Sequence, residues 1–249
     1  MAAQEKPTIL LLHGAWHIPL HYRSLIDPLR SSGYTVLAPQ MVTTGCDDSI
    51  DDKTYIDATD QIREYLRPLL EQGRKIAVVA HSFAGIIATG AAAGLTLEDR
   101  AAQGLQGGII SIVYIASLIE PEHGRPDKPI PFPPGWTDYK KRPVPEEMAR
   151  MFFYDDVEES RQKHALQMIV WQSESSYDTT ERSIAASDIR APKTYVVCKK
   201  DKIVPPEKQY ERAAAAGATV VELDCAHSPF LHDKETEVLL DVITKATEV

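Results

Sequence analysis

The chain alternates short apolar runs with longer amphipathic stretches. The runs are Thr8–Leu12, Thr35–Ala38, Ile76–Val79, Ile109–Ile115, Thr194–Cys198 and Thr219–Leu223. Each has strand length and little polar alternation, the pattern of strands covered on both faces in a parallel sheet. Between them the apolar positions take a helical period. Tyr55, Ile56, Ile62, Tyr65, Leu66, Leu69 and Leu70 share one face, with Asp57, Asp60, Arg63 and Glu64 mostly off it. Val238, Leu239, Val242, Ile243 and Ala246 do the same near the C-terminus. This alternation predicts one doubly wound α/β layer sandwich, with a mainly parallel sheet of about six strands.

The rhythm breaks between Ile115 and Thr194, where no strand is expected. Pro121 to Pro145 holds eight of the seventeen prolines, a density that excludes regular helix or central strand. Pro145 to Trp171 reads as helical and carries Met148, Met151, Phe152, Phe153, Met168 and Trp171. A long insertion between two core strands usually covers something. Residues 120–190 are therefore expected to form a helical lid over a binding cavity, within a single domain spanning residues 1–249.

Composition narrows the class. The 249 residues carry a net charge of −9, which argues against nucleic acid or an anionic membrane as partner. Cys46, Cys198 and Cys225 lie far apart without metal spacing, so a reducing, cytoplasmic location is expected. The polar start and the short Ile9–Leu12 run give no signal peptide or membrane span. Asp47, Asp48, Asp51 and Asp52 lack the glycine and terminal glutamate of a calcium loop. They read as a solvated, helix-capping loop, and neither a metal nor a cofactor is expected. The expected partner is a small-molecule substrate, with a homodimer as the candidate assembly.

The chemistry centres on Ile76-Ala77-Val78-Val79-Ala80-His81-Ser82-Phe83-Ala84-Gly85. An apolar strand stops at a serine held among small residues, and an apolar helix follows. That is the pattern of a nucleophile elbow, with Ala80 and Ala84 where glycine is usual. A serine needs a base, and the base an orienting acid. Asp201 follows the Thr194–Cys198 run and is the first choice of acid, ahead of Asp224 and Glu120. His227 follows the last strand run and is the candidate base. An oxyanion hole needs two backbone N–H groups. Phe83 follows the serine, and Ala15 follows Gly14 in the loop after the first strand. His13 is expected to brace that loop. Gly14, Trp16, His17, Phe153 and Trp171 are the candidate substrate contacts, with Trp136 and Phe152 as further lid aromatics.

These residues give the chain a resemblance to the α/β-hydrolase superfamily, and within it to plant methylesterases and hydroxynitrile lyases. The carriers are His13-Gly14-Ala15-Trp16-His17, Thr43-Thr44-Gly45, Ala80 to Gly85, Tyr195 to Cys198 with Asp201, and Ala226-His227. The resemblance implies the α/β-hydrolase fold and a serine, acid, histidine triad. The lyases that use this scaffold have a threonine after the first-loop histidine and a lysine after the base. Gly14 and Ser228 stand there in this chain, so the resemblance implies hydrolysis of an ester, lactone or thioester of a small hydrophobic or aromatic substrate. Lyase or cyclase chemistry on the same triad, and a non-hydrolytic ligand receptor, stay open as alternatives.

Overall fold

A computed structural model describes residues 5–119, 141–177 and 184–248. In chain order the elements are β1 (Thr8–Leu12), α1 (Arg23–Ser31), β2 (Val36–Leu37), β3 (Thr44–Gly45), α2 (Tyr55–Glu71), β4 (Lys75–His81), α3 (Ala84–Ala92), α4 (Leu97–Ala101) and β5 (Gly108–Ile115). There follow β6 (Lys141–Arg142), α5 (Glu146–Phe153), α6 (Glu159–Gln167), β7 (Trp171–Ser173), β8 (Lys193–Cys198), α7 (Pro206–Ala215), β9 (Thr219–Leu223) and α8 (Asp233–Lys245). Six strands form a parallel sheet in the order β2-β1-β4-β5-β8-β9. The chain reverses its direction of travel across the sheet between β1 and β4. In open α/β sheets ligands bind at the carboxyl ends of the strands beside such a reversal, which here is where the loops after β1 and β4 lie.

Strand parity divides the core in two. Leu10, Leu12, Ile76, Val78, Ala80, Ile112, Tyr114, Tyr195 and Val197 face one side, against residues of α2 and α3. Ile9, Leu11, Val79, Val113, Ile115, Val196 and Cys198 face the other, against Leu25 and Leu29 of α1 and Leu239, Val242 and Ile243 of α8. Side chains alternate between faces along a strand, so a run apolar at every position feeds both helical layers. The Thr219–Leu223 run departs from that reading. It forms the sheet edge, where Val220 is 40% exposed.

Two expectations for the insertion are corrected. The span 145–171 is not one helical stretch: α5 ends at Phe153, and α6 starts at Glu159 behind an N-cap in which the Glu158 carboxylate accepts from Ser160 and Arg161 N–H. Strands also occur where none was expected. β7 runs antiparallel between β3 and β6 in a small second sheet. Strands of two or three residues carry too short a period to register in sequence. Residues 120–140, which hold most of the proline-rich part with Glu120 and Trp136, lie outside the described residues.

The acidic run caps local structure. Asp47 accepts from the N–H of Ser49 at the start of a 3₁₀ turn. Just beyond it, Thr54 and Asp57 close a capping box on α2.

Candidate active site

The turn between β4 and α3 holds Ser82 in a left-handed conformation, φ 54°. That costs an L-residue about 1–2 kcal/mol. Neighbouring backbone holds it there. Ser82 N–H donates to Ile115 O at 3.0 Å, and Ser82 O accepts from Gly85 N–H at 3.1 Å and Leu118 N–H at 2.9 Å. Ala80 and Ala84 are fully buried and accommodated. The close approach falls instead on Gly85, where a Cβ would lie 2.3 Å from Leu118 O and 2.8 Å from Ser117 Cβ.

Ser82 Oγ–H donates to His227 Nε2 at 2.9 Å, and His227 Nδ1–H donates to Asp201 Oδ2 at 2.7 Å. All three residues are buried. The Asp201 carboxylate also accepts from the N–H groups of Ile203 and Val204 and from Gln209 Nε2. Gln209, on α7, is itself locked onto both main-chain groups of Cys198. The acid is thus fixed from three directions. Asp224, the rival acid, faces outward in an ion pair with Lys200 at 3.0 Å.

The loop after β1 has its polar groups almost fully assigned. Gly14 N–H donates to Tyr22 OH. Gly14 O accepts from His13 Nδ1–H and His17 N–H, and Ala15 O accepts from His17 Nδ1–H. Trp16 N–H reaches Gln172 Oε1 at 3.4 Å, and Trp16 O accepts from Val170 N–H. From Gly14 N to His17 N, the one main-chain group without a partner among the described residues is Ala15 N–H. Phe83 N–H, beside Ser82 at the start of α3, likewise has no acceptor among them. Buried N–H groups are rarely left unpaired, so two unclaimed donors flanking Ser82 form an anion-receptive spot, assisted by the N-terminus of α3. Gly14 allows this closeness, because a Cβ there would lie 2.8 Å from His81 Nδ1 and 3.2 Å from Ser82 Cβ.

Aromatic rings wall the site. Trp16 lies 5.7 Å from Phe153 and 5.8 Å from Tyr177, Tyr177 lies 4.9 Å from Phe83, and Phe153 lies 6.0 Å from the His227 ring. Two expected contacts are corrected. His17 is 1% exposed with both ring nitrogens engaged, Nδ1 on Ala15 O and Nε2 accepting from Tyr154 OH. Neither ring nitrogen is left for substrate, and the ring instead ties the first loop to the end of α5. Trp171 stands on the opposite face of β7 from Gln172, whose buried side chain reaches Trp16. Parity turns Trp171 outward, and it is 39% exposed.

Residues 141–177 are sewn to the rest of the site. His21 Nε2–H donates to Ala165 O, Arg161 pairs with Asp233, and Asp156 accepts from Ala226 N–H and binds His232. Sequence reasoning missed Asp156, Tyr154, Gln172, Gln209 and Tyr22. None carries a local signature: Asp156, Tyr154, Gln172 and Tyr22 act on partners distant in sequence, and Gln209 acts through the fold of the β8–α7 turn.

Burial keeps His13, His17, His21 and His81 neutral. It pulls His13 and His21 down to about 4, and His17 and His81 well below the usual imidazole value. The hydrogen bonds each makes use the neutral ring. Among the described residues no group of His, Cys, Asp or Glu is arranged to hold a metal, and no helix is long and apolar enough to cross a membrane.

The sequence model described as "Alpha/beta hydrolase family" matches residues 9–238. An alpha/beta hydrolase of Aspergillus novofumigatus is 23% identical over 251 aligned positions, covering 94% of each chain. Among solved structures, polyneuridine aldehyde esterase superposes with a TM-score of 0.76 at 17% identity, covering 96% of this chain and 99% of that one. A methylesterase from Arabidopsis superposes with a TM-score of 0.70 at 17% identity, again over 96% and 99%.

Two predictions follow from this geometry. Gly85→Ala should cost about 3 kcal/mol, because the opposing atom is backbone that cannot rotate away; urea unfolding measures it, and a change within 0.5 kcal/mol (about the noise for a neutral site) contradicts the tight elbow. The second concerns acid. In the unfolded chain these histidines titrate near 6.5, whereas in the fold His13 and His21 stay neutral to about 4, and burial likewise holds His17 and His81 well below the usual imidazole value. Below about pH 6.5 the unfolded state binds more protons, so stability is complete above that pH and falls steadily toward pH 4. A melting temperature independent of pH between these limits would rule this out.

Proposed function

The chain belongs to the alpha/beta hydrolase family, and on that premise we propose that it is a serine hydrolase working through an acyl-enzyme on Ser82. The single observation that supports this best is the unbroken Ser82–His227–Asp201 hydrogen-bond chain flanked by the free N–H groups of Ala15 and Phe83. Ser82 Oγ attacks the substrate carbonyl as its proton passes to His227 Nε2. Asp201 holds the imidazole in the Nδ1–H tautomer and stabilises the cation that forms. The carbonyl oxygen, now an anion, accepts from Ala15 and Phe83 N–H. The intermediate collapses, and His227 gives its proton to the departing oxygen or sulfur. Water then repeats the sequence in reverse and frees the acid.

The proposed substrate is an ester, lactone or thioester with a small hydrophobic or aromatic group. The rings of Trp16, Phe83, Phe153 and Tyr177 around the site support an apolar, flat partner. The two esterases named above favour ester cleavage. Against cyanohydrin lyase chemistry, Gly14 brings no side chain and Ser228 no cation. Residues 120–190 are proposed as the lid. A reducing, cytoplasmic setting fits three free cysteines, of which Cys46 is exposed.

A panel of p-nitrophenyl acyl esters tests the reading. Wild type should turn over short and aromatic acyl groups, and Ser82→Ala should lose about 10⁴–10⁶ in kcat. Equal rates in the two proteins contradict it. Fluorophosphonate labelling without turnover of any ester would instead favour the lyase or receptor alternative.

A further inference from the structure

His81 and Tyr22 are buried beside the proposed triad, yet neither takes part in the chemistry above. Gly14 N–H donates to the Tyr22 hydroxyl oxygen at 2.9 Å, Tyr22 O–H pairs with His81 Nδ1 at 2.7 Å, and His81 Nε2 meets His227 O at 2.8 Å. The directions of these bonds are forced. His227 O can only accept, so His81 carries its proton on Nε2. His81 Nδ1 must then accept from Tyr22, whose oxygen is left to accept from Gly14. All donors point the same way, from the first loop to the base loop, and such chains reinforce one another.

We propose that Tyr22 and His81 are positioning residues: a hydrogen-bonded strut that fixes the distance between the oxyanion donor at Ala15 and the base at His227. One end consumes Gly14 N–H, which orients the next peptide and leaves Ala15 N–H free. The other end holds the main chain of the base itself. The His81 ring packs 4.7 Å from the His227 ring and 5.1 Å from Phe230, and Tyr22 packs 4.2 Å from Phe230. Neither residue can swing aside. The strut spans three elements of the sequence, the first loop with the 3₁₀ turn behind it, the elbow and the base loop. Each moves only with the others.

The inference rests on the serine-hydrolase reading, and its test separates the two. Tyr22→Phe keeps the ring and deletes the hydroxyl, and His81→Gln provides a second break in the same chain. Each should lower kcat about 10- to 100-fold through misplacement of the reacting groups, with KM within twofold (about the scatter of such a comparison). Affinity for a trifluoromethyl ketone, whose adduct carries the oxyanion, should fall by the same factor as kcat/KM. The double variant should be no slower than the worse single one. Amide hydrogen exchange at Ala15 and His227 should speed up in either variant. Folded variants with wild-type kcat and ketone affinity overturn the inference, as does a loss of rate that merely tracks the folded fraction. If wild type itself fails to take up fluorophosphonate at Ser82, the hydrolase reading falls; unchanged amide exchange in the variants then overturns the strut as well.

Discussion

The left-handed backbone of Ser82 is the constraint on which the rest of the site depends. A serine in an ordinary strand-to-helix connection would lie along the sheet, beyond reach of both neighbouring loops. The tight turn lifts Oγ to the carboxyl end of β4, where the β8 and β9 loops bring Asp201 and His227 to meet it. Its cost is offset by backbone hydrogen bonds to Ile115 at the end of β5, to Leu118 just beyond it, and to Gly85 in α3. The turn also exposes Phe83 N–H at the head of α3. One dihedral angle thus sets the direction of the hydroxyl and of one anion-binding donor.

The second donor depends on elimination. Around Ala15 the main chain is saturated by the imidazoles of His13 and His17, the hydroxyl of Tyr22 and the amide of Gln172. Those histidines are kept uncharged by burial. A protonated ring would lose the acceptor that Met41 N–H or Tyr154 OH requires. The packing that suppresses protonation is therefore also what leaves Ala15 N–H unclaimed. Stability toward acid and competence of the site have a common origin in this loop.

Much of the sheet was legible from sequence because its information is local. A run such as Thr8–Leu12, apolar from Ile9 onward, reads as a central strand, and the bounds of β1 and its alternation between the two core faces follow. That Ser82, Asp201 and His227 meet in one hydrogen-bond chain could be anticipated because each lies in the loop just after such a run. Cap geometry was not. Whether Trp171 points in or out depends on its pairing with Gly45, and no residue near it in sequence encodes that partner. His17 reads as a substrate contact from its place in the loop, and only the arrival of Tyr154 from a distant helix turns it into a brace. Val220 reads as core, yet its strand ends the sheet. Local pattern carries the frame; contacts across more than a hundred residues carry the tuning.

The central claim is that Ser82 becomes covalently acylated. Rapid acid quench of the protein with a turning-over aryl ester, followed by mass mapping of the peptides, tests it most directly. The account predicts the mass of one acyl group on the peptide bearing Ser82, formed in a burst before steady-state release. Product formed with no adduct, or an adduct on another residue, contradicts it.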